Sequence, residues 1–347
     1  MASRETSLRA RRLQCGLTQG ELAARAGVSR QLVAAVEAGH NRPAVDAALM
    51  LAQALATTVE ELFAAPAPGV VAALGGRLRE GVPLRVGRVA DQLVAAELAD
   101  HGIAGAGWAS PDGLVDAGTF QLFPGAVPAG VVIAGCDPAL GIAEAMLSGL
   151  GPRSLLAISA PTGIALRALT RGHVHAAVVH GAPGELPHPP VPVLRWHLAR
   201  WQVGVATAPG VPAHSLEDLL SGGAPIAQRD SSAASQQAFE RAMARAGIAP
   251  PRSGPRADGH IEAARFAAAV GGGGVTHEAA ARAFQLGFLP LEVHTVEVWL
   301  AERWCDHPGA QALMDLLASV AFTDRVAHLG GYELAGCGTR VEASAVH

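Results

Sequence analysis

Residues 18–39 read TQGELAARAGVSRQLVAAVEAG, and the N-terminal part of the chain is organised around them. Thr18 stands three residues before Glu21. Its hydroxyl can therefore accept from the first free N–H groups of a helix while the carboxylate reaches back, a capping box that predicts a helix starting at Thr18. Leu22, Ala23 and Ala26 share one face, and Gly27 falls where the chain needs a left-handed residue to leave the helix. Val28 turns inward and Ser29 caps a second helix. From Ser29 to Ala38 the apolar positions Leu32, Val33 and Val36 recur at helical spacing, which leaves Arg30, Gln31, Ala34 and Ala35 near the outer face and the helix start. Two short helices meeting at a glycine turn, the second with polar side chains at its start, make a unit shaped to lie in the DNA major groove.

Extended in both directions, this pattern resembles the Cro/C1-type (XRE) helix-turn-helix family of phage repressors and bacterial regulators, from Leu8 to Phe63. The segments RRLQCGLTQ, AGVSRQ, EAGHNRP and ALMLAQALAT agree with the family in order and spacing. The resemblance implies a structural pair between Arg12 and Glu37. It places Gln19 on a phosphate, Ser29, Arg30 and Gln31 against base edges, and Asn41 and Arg42 on backbone phosphates. The alternative for Arg30 and Gln31, a merely solvated surface, is disfavoured because the motif aims these positions at the groove. Such domains bind two half-sites about one helical turn apart, so the expected partner is double-stranded operator DNA and the expected state a homodimer.

Composition requires that DNA attraction be local. The 347-residue chain has a formal net charge of −4, so no global basic field draws it to nucleic acid. Arg4, Arg9, Arg11 and Arg12 cluster around the first helix, and Arg25, Arg30 and Arg42 line the rest of the domain. All 26 basic residues are arginine, which reflects a GC-rich coding sequence rather than a mechanism. Half the residues are hydrophobic, enough for buried cores. No signal segment opens the chain and no apolar run approaches the roughly 18 residues of a membrane span, so a cytoplasmic protein with no membrane partner is expected. Cys15, Cys136, Cys305 and Cys337 are scattered, without the close pairs of a zinc site, and are expected to be reduced and structural.

The length suggests more than one domain. APAPGV at 65–70 closes the first, giving a helical DNA-binding domain over 1–66. Alternating PLRVGRVADQLV and the turn-rich GAGWASPDGLVDAGTFQLF make 67–129 a linker and β-rich connecting segment. From Gly130 the texture becomes βαβαβ: VVIAG, CDPALGIAEAMLSGL, SLLAIS, TGIALRALTRG and VHAAVVHG. That order argues for a parallel sheet with its ligand crevice at the strand carboxyl ends. Two of those ends, Cys136–Asp137–Pro138 and Pro161–Thr162–Gly163, open helices whose free N–H groups suit an anion. A second α/β half follows. HLARWQVGVATAPG reads as a strand able to cross between lobes, PIAQRDSSAASQQAFERAMARAG as strand, polar loop and helix, and HIEAARFAAAVGGGGVTHEAAARAF as two helices around a glycine-rich link. The four glycines there act as a hinge or fill a crowded turn.

The order of GCDPAL, LRALTRGHVHAAVVHG, ARWQVGV, QRDSSAAS, GHIEAA and GGYELAGCGTR resembles a two-lobed periplasmic-binding-protein-like domain. The type is the one fused to helix-turn-helix regulators and related to molybdate-binding proteins. The expected fold is thus multidomain: an all-α N-terminal domain, a short β-rich connector and a two-lobed α/β sensor over 130–347. The resemblance lines the cleft with Asp137, with Thr162 and Gly163, with Arg229, Ser231 and Ser232, and with His260. Arg229 and the hydroxyls suit an oxyanion or carboxylate, whereas Asp137 would repel a dianion unless it points away. Asp230, Ser231, Ser232 and Ala233 stand where related sequences carry a serine-glycine-threonine run, so the expected effector is an anion or small polar metabolite rather than molybdate specifically. Capping of the following helix is an equally open reading of Ser231 and Ser232.

His173, His175 and His180 invite a metal, but on a strand 173 and 175 share a face while 180 points oppositely, and no metal site is expected from them. No cofactor is expected. There is no nucleophile elbow, phosphate loop or HExxH helix, and the paired acids Glu60 with Glu61 and Glu217 with Asp218 sit at helix starts, where negative charge favours the dipole. The chain therefore reads as a non-enzymatic, ligand-responsive one-component regulator. The alternative is a DNA-binding regulator whose C-terminal domain is a ligand-free dimerisation or partner-docking scaffold.

Overall fold

A computed structural model of the chain describes residues 7–38, 41–63, 69–98, 110–211, 214–249 and 254–342. The proline-rich break at 65–68, residues 105–109 of the turn-rich stretch, and Arg4 lie outside them. The contacts divide the chain into two units, Met1–Gly69 and Val70–His347.

The first unit contains α1 (Ser7–Gln14), α2 (Gln19–Ala26), α3 (Arg30–Glu37), α4 (Val45–Ala54) and α5 (Val59–Phe63). The capping box forms: Thr18 Oγ1 accepts from Glu21 N at 3.2 Å and Thr18 N donates to the Glu21 carboxylate at 2.7 Å. Gly27, at φ 65°, ends α2, and Ser29 Oγ accepts from Leu32 N at 3.1 Å to start α3. Leu8, Leu22, Val33, Val36, Leu51, Leu55 and Leu62 make the core. Across it runs a buried ion pair: Arg12 Nε and Nη2 donate to the two Glu37 oxygens at 2.6 and 3.0 Å, and Arg12 Nη1 donates to the Leu17 carbonyl at 2.6 Å. Gln19 Nε2 adds a bond to Glu37 at 2.8 Å. Burial pushes the Glu37 carboxyl up, but the hydrogen bonds from Arg12 and Gln19 and the Arg12 charge outweigh it and leave it below its ordinary value of 4.5.

The second unit begins with a five-stranded sheet of β1 (Val70–Ala72), β2 (Leu84–Val89), β3 (Gln92–Glu97), β4 (Gly113–Asp116) and β5 (Thr119–Leu122), in the order β1-β3-β2-β4-β5. Val89, Val94 and Ala96 from this sheet share a core with Val132, Leu156 and Ile158 of the larger sheet. Gly87 permits the approach, since a Cβ there would strike the Val132 side chain.

The larger sheet takes β6 (Val131–Gly135), β7 (Leu155–Ser159), β8 (Ala176–Gly181), β9 (Val193–Thr207), β10 (Ile226–Ala227), β11 (Gly273–His277) and β12 (Gly287–Ala301), in the order β10-β11-β9-β12-β8-β6-β7. The short strands β13 (Tyr332–Glu333) and β14 (Arg340–Val341) add to β9. Every residue of β6 and β8 is buried, which is why these segments read as unbroken apolar runs. α6 (Ala139–Met146) follows β6 and α7 (Thr162–Arg171) follows β7. On the far side, α8 (Leu216–Ser221), α9 (Ala234–Ala246) and α10 (His260–Val270) belong to the second lobe, and α11 (Glu278–Ala283) leads into β12. α12 (Pro308–Leu317) and α13 (Val320–Ala327) return to the first-lobe core. β9 and β12, 15 residues each, run through both lobes. Thr295–Leu300 of β12 pairs with β8, whereas Val203–Thr207 of β9 pairs with β11. The β9–β12 ladder shifts register between Pro290 and Glu292 and between Val296 and Glu297.

Two elements differ from the sequence reading. Gly273–His277, GGVTH, is a fully buried strand rather than part of a link between helices. A Cβ at Gly274 would overlap the Ala263 carbonyl oxygen of α10, and one at Gly272 would overlap the Pro225 carbonyl oxygen, so backbone crowding accounts for these glycines. Residues 287–301, unassigned from sequence, supply the second shared strand. Among the described residues no helix is long and apolar enough to cross a membrane.

Two outcomes are expected. Glu37→Ala strands a buried guanidinium and should cost about 3 kcal/mol in a urea melt followed by circular dichroism. Because the Glu37 value is depressed, its contribution is present above the unfolded value and lost as pH falls through the folded one; the parent should lose that increment below about pH 4.5 and the variant should not. Gly274→Ala should destabilise the second unit by about 1–3 kcal/mol through overpacking, whereas a glycine serving only as a hinge would tolerate the methyl group.

Candidate functional site

On the helix-turn-helix unit the geometry separates the six residues expected to meet DNA. Arg30 and Gln31 are exposed on the first turn of α3, and Asn41 and Arg42 are exposed shortly after it. Ser29 is exposed and its oxygen caps α3. Gln19 is half-buried, with its side-chain N–H group on Glu37, so its position is fixed by the same ion pair that holds the core.

The second site lies midway along β9 and β12, where the sheet passes from one lobe to the other. Parallel strands β6 and β8 end there with Cys136–Asp137 and His180, β11 ends there with His277, and α10 begins there with His260. Trp201 of β9 faces His294 of β12 across the ladder and Tyr332 of β13 on its other side. The Trp201 ring lies 4.7 Å from that of His180, 4.9 Å from His277, 5.5 Å from His260 and 5.8 Å from His294. Each of these five side chains is at most 2% exposed. Burial holds His180 and His260 well below the ordinary imidazole value, helped by the Arg229 charge and by neighbouring histidines, and it brings His277 to about 3. Four imidazoles held below their ordinary value thus meet in one buried cluster.

Asp137 is committed within this cluster. Its Oδ1 accepts from Ala139 N at 2.8 Å and Tyr332 OH at 2.6 Å, and its Oδ2 from Trp201 Nε1 at 3.0 Å. Burial raises the carboxyl in spite of these three bonds. Asp137 therefore ties the β6 loop to β9 and β13, and the repulsion expected against an anionic ligand is muted by bonds already made. Arg229, 3% exposed, donates through Nε to the Ala257 carbonyl at 3.1 Å and through Nη2 to the Asp258 carbonyl at 3.2 Å, while its Nη1 has no hydrogen-bond partner. Burial raises the neighbouring Cys136 thiol to about 11 against the pull of the Arg229 charge.

Beside this cluster a cavity of about 200 Å³ opens between the lobes. Thr162, Gly163, Leu166 and His180 line it from one side, and Ser232, Ala234, Gln237 and Arg241 from the other. Thr162 Oγ1 is buried without a partner. Ser232 Oγ donates to Asp230 at 2.5 Å, whereas Ser231 is exposed and does not line the cavity. The capping reading fails for both serines, because α9 has Ala233 at its N-cap and no side-chain cap.

The residues expected from sequence thus fall in two adjoining places. Thr162, Gly163 and Ser232 line the cavity, and Asp137, Arg229 and His260 belong to the buried cluster. His173, His175 and His180 do not converge: His175 accepts from Val132 N at 3.0 Å and packs on Trp304, far along β8 from His180. Sequence reasoning missed Cys136, His277, His294, Trp201 and Tyr332. The signal available was positional, since each sits at a strand end or on a strand shared by the lobes.

Family comparisons agree with this architecture. The PBP superfamily domain matches residues 144–318, half of the chain, and a helix-turn-helix family matches residues 8–62. No curated protein matches. Among solved structures, the restriction-modification controller protein C.AhdI from Aeromonas hydrophila is 38% identical over 16% of this chain and 86% of its own, with a TM-score of 0.16. A putative phosphate ABC transporter substrate-binding protein with bound phosphate from Clostridium perfringens is 10% identical over 59% of this chain and 98% of its own, with a TM-score of 0.46. A putative transcriptional regulator from Vibrio parahaemolyticus is 21% identical over 57% and 95%, with a TM-score of 0.42. Both matched families are of binding rather than catalytic type. The chain belongs to the PBP superfamily and carries, ahead of that domain, a helix-turn-helix DNA-binding domain of the Cro/C1 (XRE) type.

Proposed function

We propose that this ligand-binding transcription regulator recognises operator DNA sequence-specifically as a homodimer and responds to a small anionic effector held between the lobes. The observation that carries the effector reading is Arg229, a buried guanidinium with one nitrogen unpartnered, at the junction of two lobes that also share a cavity. A buried guanidinium nitrogen without a hydrogen-bond partner is costly. An anion that meets it gains a charge-assisted hydrogen bond and touches both lobes, so it favours one lobe arrangement over another. Arg30, Gln31, Asn41 and Arg42 form the DNA-contacting surface in this reading, Thr162, Gly163 and Ser232 line the effector's cavity, and no reaction is assigned to either unit.

Thermal melts against oxyanions, organic acids and sugars test the effector reading. Stabilisation by at least one anion is expected, and its complete absence would favour the ligand-free scaffold. Arg229→Met should abolish the anion-dependent rise, and because it also removes the bonds to the Ala257 and Asp258 carbonyls the anion response is read as the shift from the variant's own unliganded melt. For DNA, joint replacement of Arg30 and Gln31 by alanine should remove about 1–3 kcal/mol of discrimination per lost base contact. Competition between operator and random duplex measures it, and undiminished preference would show that α3 is not the reading helix.

A further inference from the structure

We propose that Cys136, His180 and His260 bind one soft divalent transition-metal ion, with Zn²⁺ the natural occupant. The inference goes beyond the effector reading and does not rest on it. The three ligand atoms lie within 4.8 Å of one another, and Cys136 Sγ is 3.3 Å from His180 Nε2. A tetrahedral zinc site with one sulfur and two nitrogens sets its donors about 3.5 Å apart, so only a small contraction is required. A thiol with two imidazoles selects Zn²⁺, Co²⁺ or Cu over Mg²⁺ and Ca²⁺, which take oxygen.

The hydrogen-bond network orients both histidines for this task. Glu292 is ion-paired with Arg241 at 2.6 Å and accepts from His294 Nε2 at 2.8 Å. A neutral His294 donating there must accept at Nδ1, so the 2.9 Å contact between the two Nδ1 atoms makes His180 Nδ1 the donor. The His180 lone pair is then on Nε2, facing Cys136. His260 reaches the same state independently. Thr276 Oγ1 donates to the His260 carbonyl at 2.9 Å, so at 3.4 Å it can only accept from His260 Nδ1. This leaves a lone pair on His260 Nε2, which is buried and has no partner. Two imidazoles, each fixed through its far nitrogen, present free Nε2 atoms to one thiol, the outer-shell arrangement that metal-ligating histidines use.

On binding, the S–H bond of Cys136 breaks, its proton leaves to solvent and the thiolate sulfur bonds the metal. The site then carries one net positive charge beside Arg229. Arg229 favours the thiolate, and the two cations together favour an anion at the coordination position these three residues leave open. Cys136 and His180 come from one lobe and His260 from the other, so the ion would bind both lobes in one coordination sphere.

The test uses the full-length, tag-free chain, stripped with a chelator and titrated with Co²⁺. One equivalent should bind with tetrahedral visible bands and a near-ultraviolet thiolate-to-cobalt band, both removed by added Zn²⁺. Cys136→Ser should lose the thiolate band and His260→Gln should weaken binding by at least about tenfold, while Cys305→Ser should leave the spectrum unchanged. Thr276→Val, which removes the partner of His260 Nδ1 and the donor to the His260 carbonyl but no ligand atom, should also weaken binding about tenfold and keeps the test decisive if Cys136→Ser does not fold. Absence of Co²⁺ binding, a thiolate band that survives in Cys136→Ser, or one that disappears in Cys305→Ser would overturn the proposal. Anion-dependent melts of the metal-free chain separate the two readings. If anions stabilise it and Co²⁺ does not bind, the metal site falls alone; if Co²⁺ binds through Cys136 and no anion acts, the effector reading falls alone.

Discussion

The pairing of β9 with β12 is the constraint on which the second unit depends. Each strand contributes one end to the first-lobe sheet and the other to the second, so the ladder is at once the core of both lobes and the bridge between them. Everything chemically distinctive gathers at its middle. Trp201 and His294 occupy facing positions in that ladder, and the strands beside it deliver His180 and His277 at their carboxyl ends. Loops at the carboxyl ends of parallel strands are where open α/β sheets place ligands. Here two such sheet halves bring their ends to one point.

The first unit depends instead on a buried ion pair. Arg12 and Glu37 lie 25 residues apart and join the end of α1 to the end of α3, with Gln19 of α2 as a third member. A buried pair of this kind contributes less to net stability than a well-packed apolar contact would. Its effect is geometric, because it sets where the start of α3 stands relative to α2. Of the residues expected to meet DNA, Gln19 alone is also part of this framework, so the side chain proposed to meet a phosphate is one that the ion pair holds in place.

What could be read from the sequence followed the range of the interactions. The capping box at Thr18, the glycine at 27 and the cap at Ser29 are signals within four residues of their targets, and the structure repeats them bond for bond. The βαβαβ run from Val131 was legible for a similar reason: strands buried on both faces leave unbroken apolar stretches. Around Gly272–Gly274 the sequence left a hinge and a crowded turn both open, and the strand Gly273–His277 went unread. Gly272 and Gly274 face the Pro225 and Ala263 carbonyl oxygens, whose approach no window of sequence contains. The histidine cluster was invisible on the same ground. His180, His260, His277 and His294 are each well beyond helix or turn range of the next in sequence, and only the fold makes them neighbours. The one histidine group that sequence did offer, at 173, 175 and 180, is split by strand alternation.

The two register shifts between β9 and β12, on either side of the segment that carries His294, have a mechanical meaning. The lobes are joined by a hydrogen-bonded ribbon rather than by a loose loop, so the junction has stiffness, and it resists bending everywhere except where the ladder is already broken. A bulge accepts added twist at little cost because its hydrogen bonds are absent to begin with. The ladder is therefore weakest at Pro290–Glu292 and Val296–Glu297, with His294 on the segment held between them. The centre of the site thus sits on the short run of ladder bounded by the two points where the bridge between the lobes is least stiff.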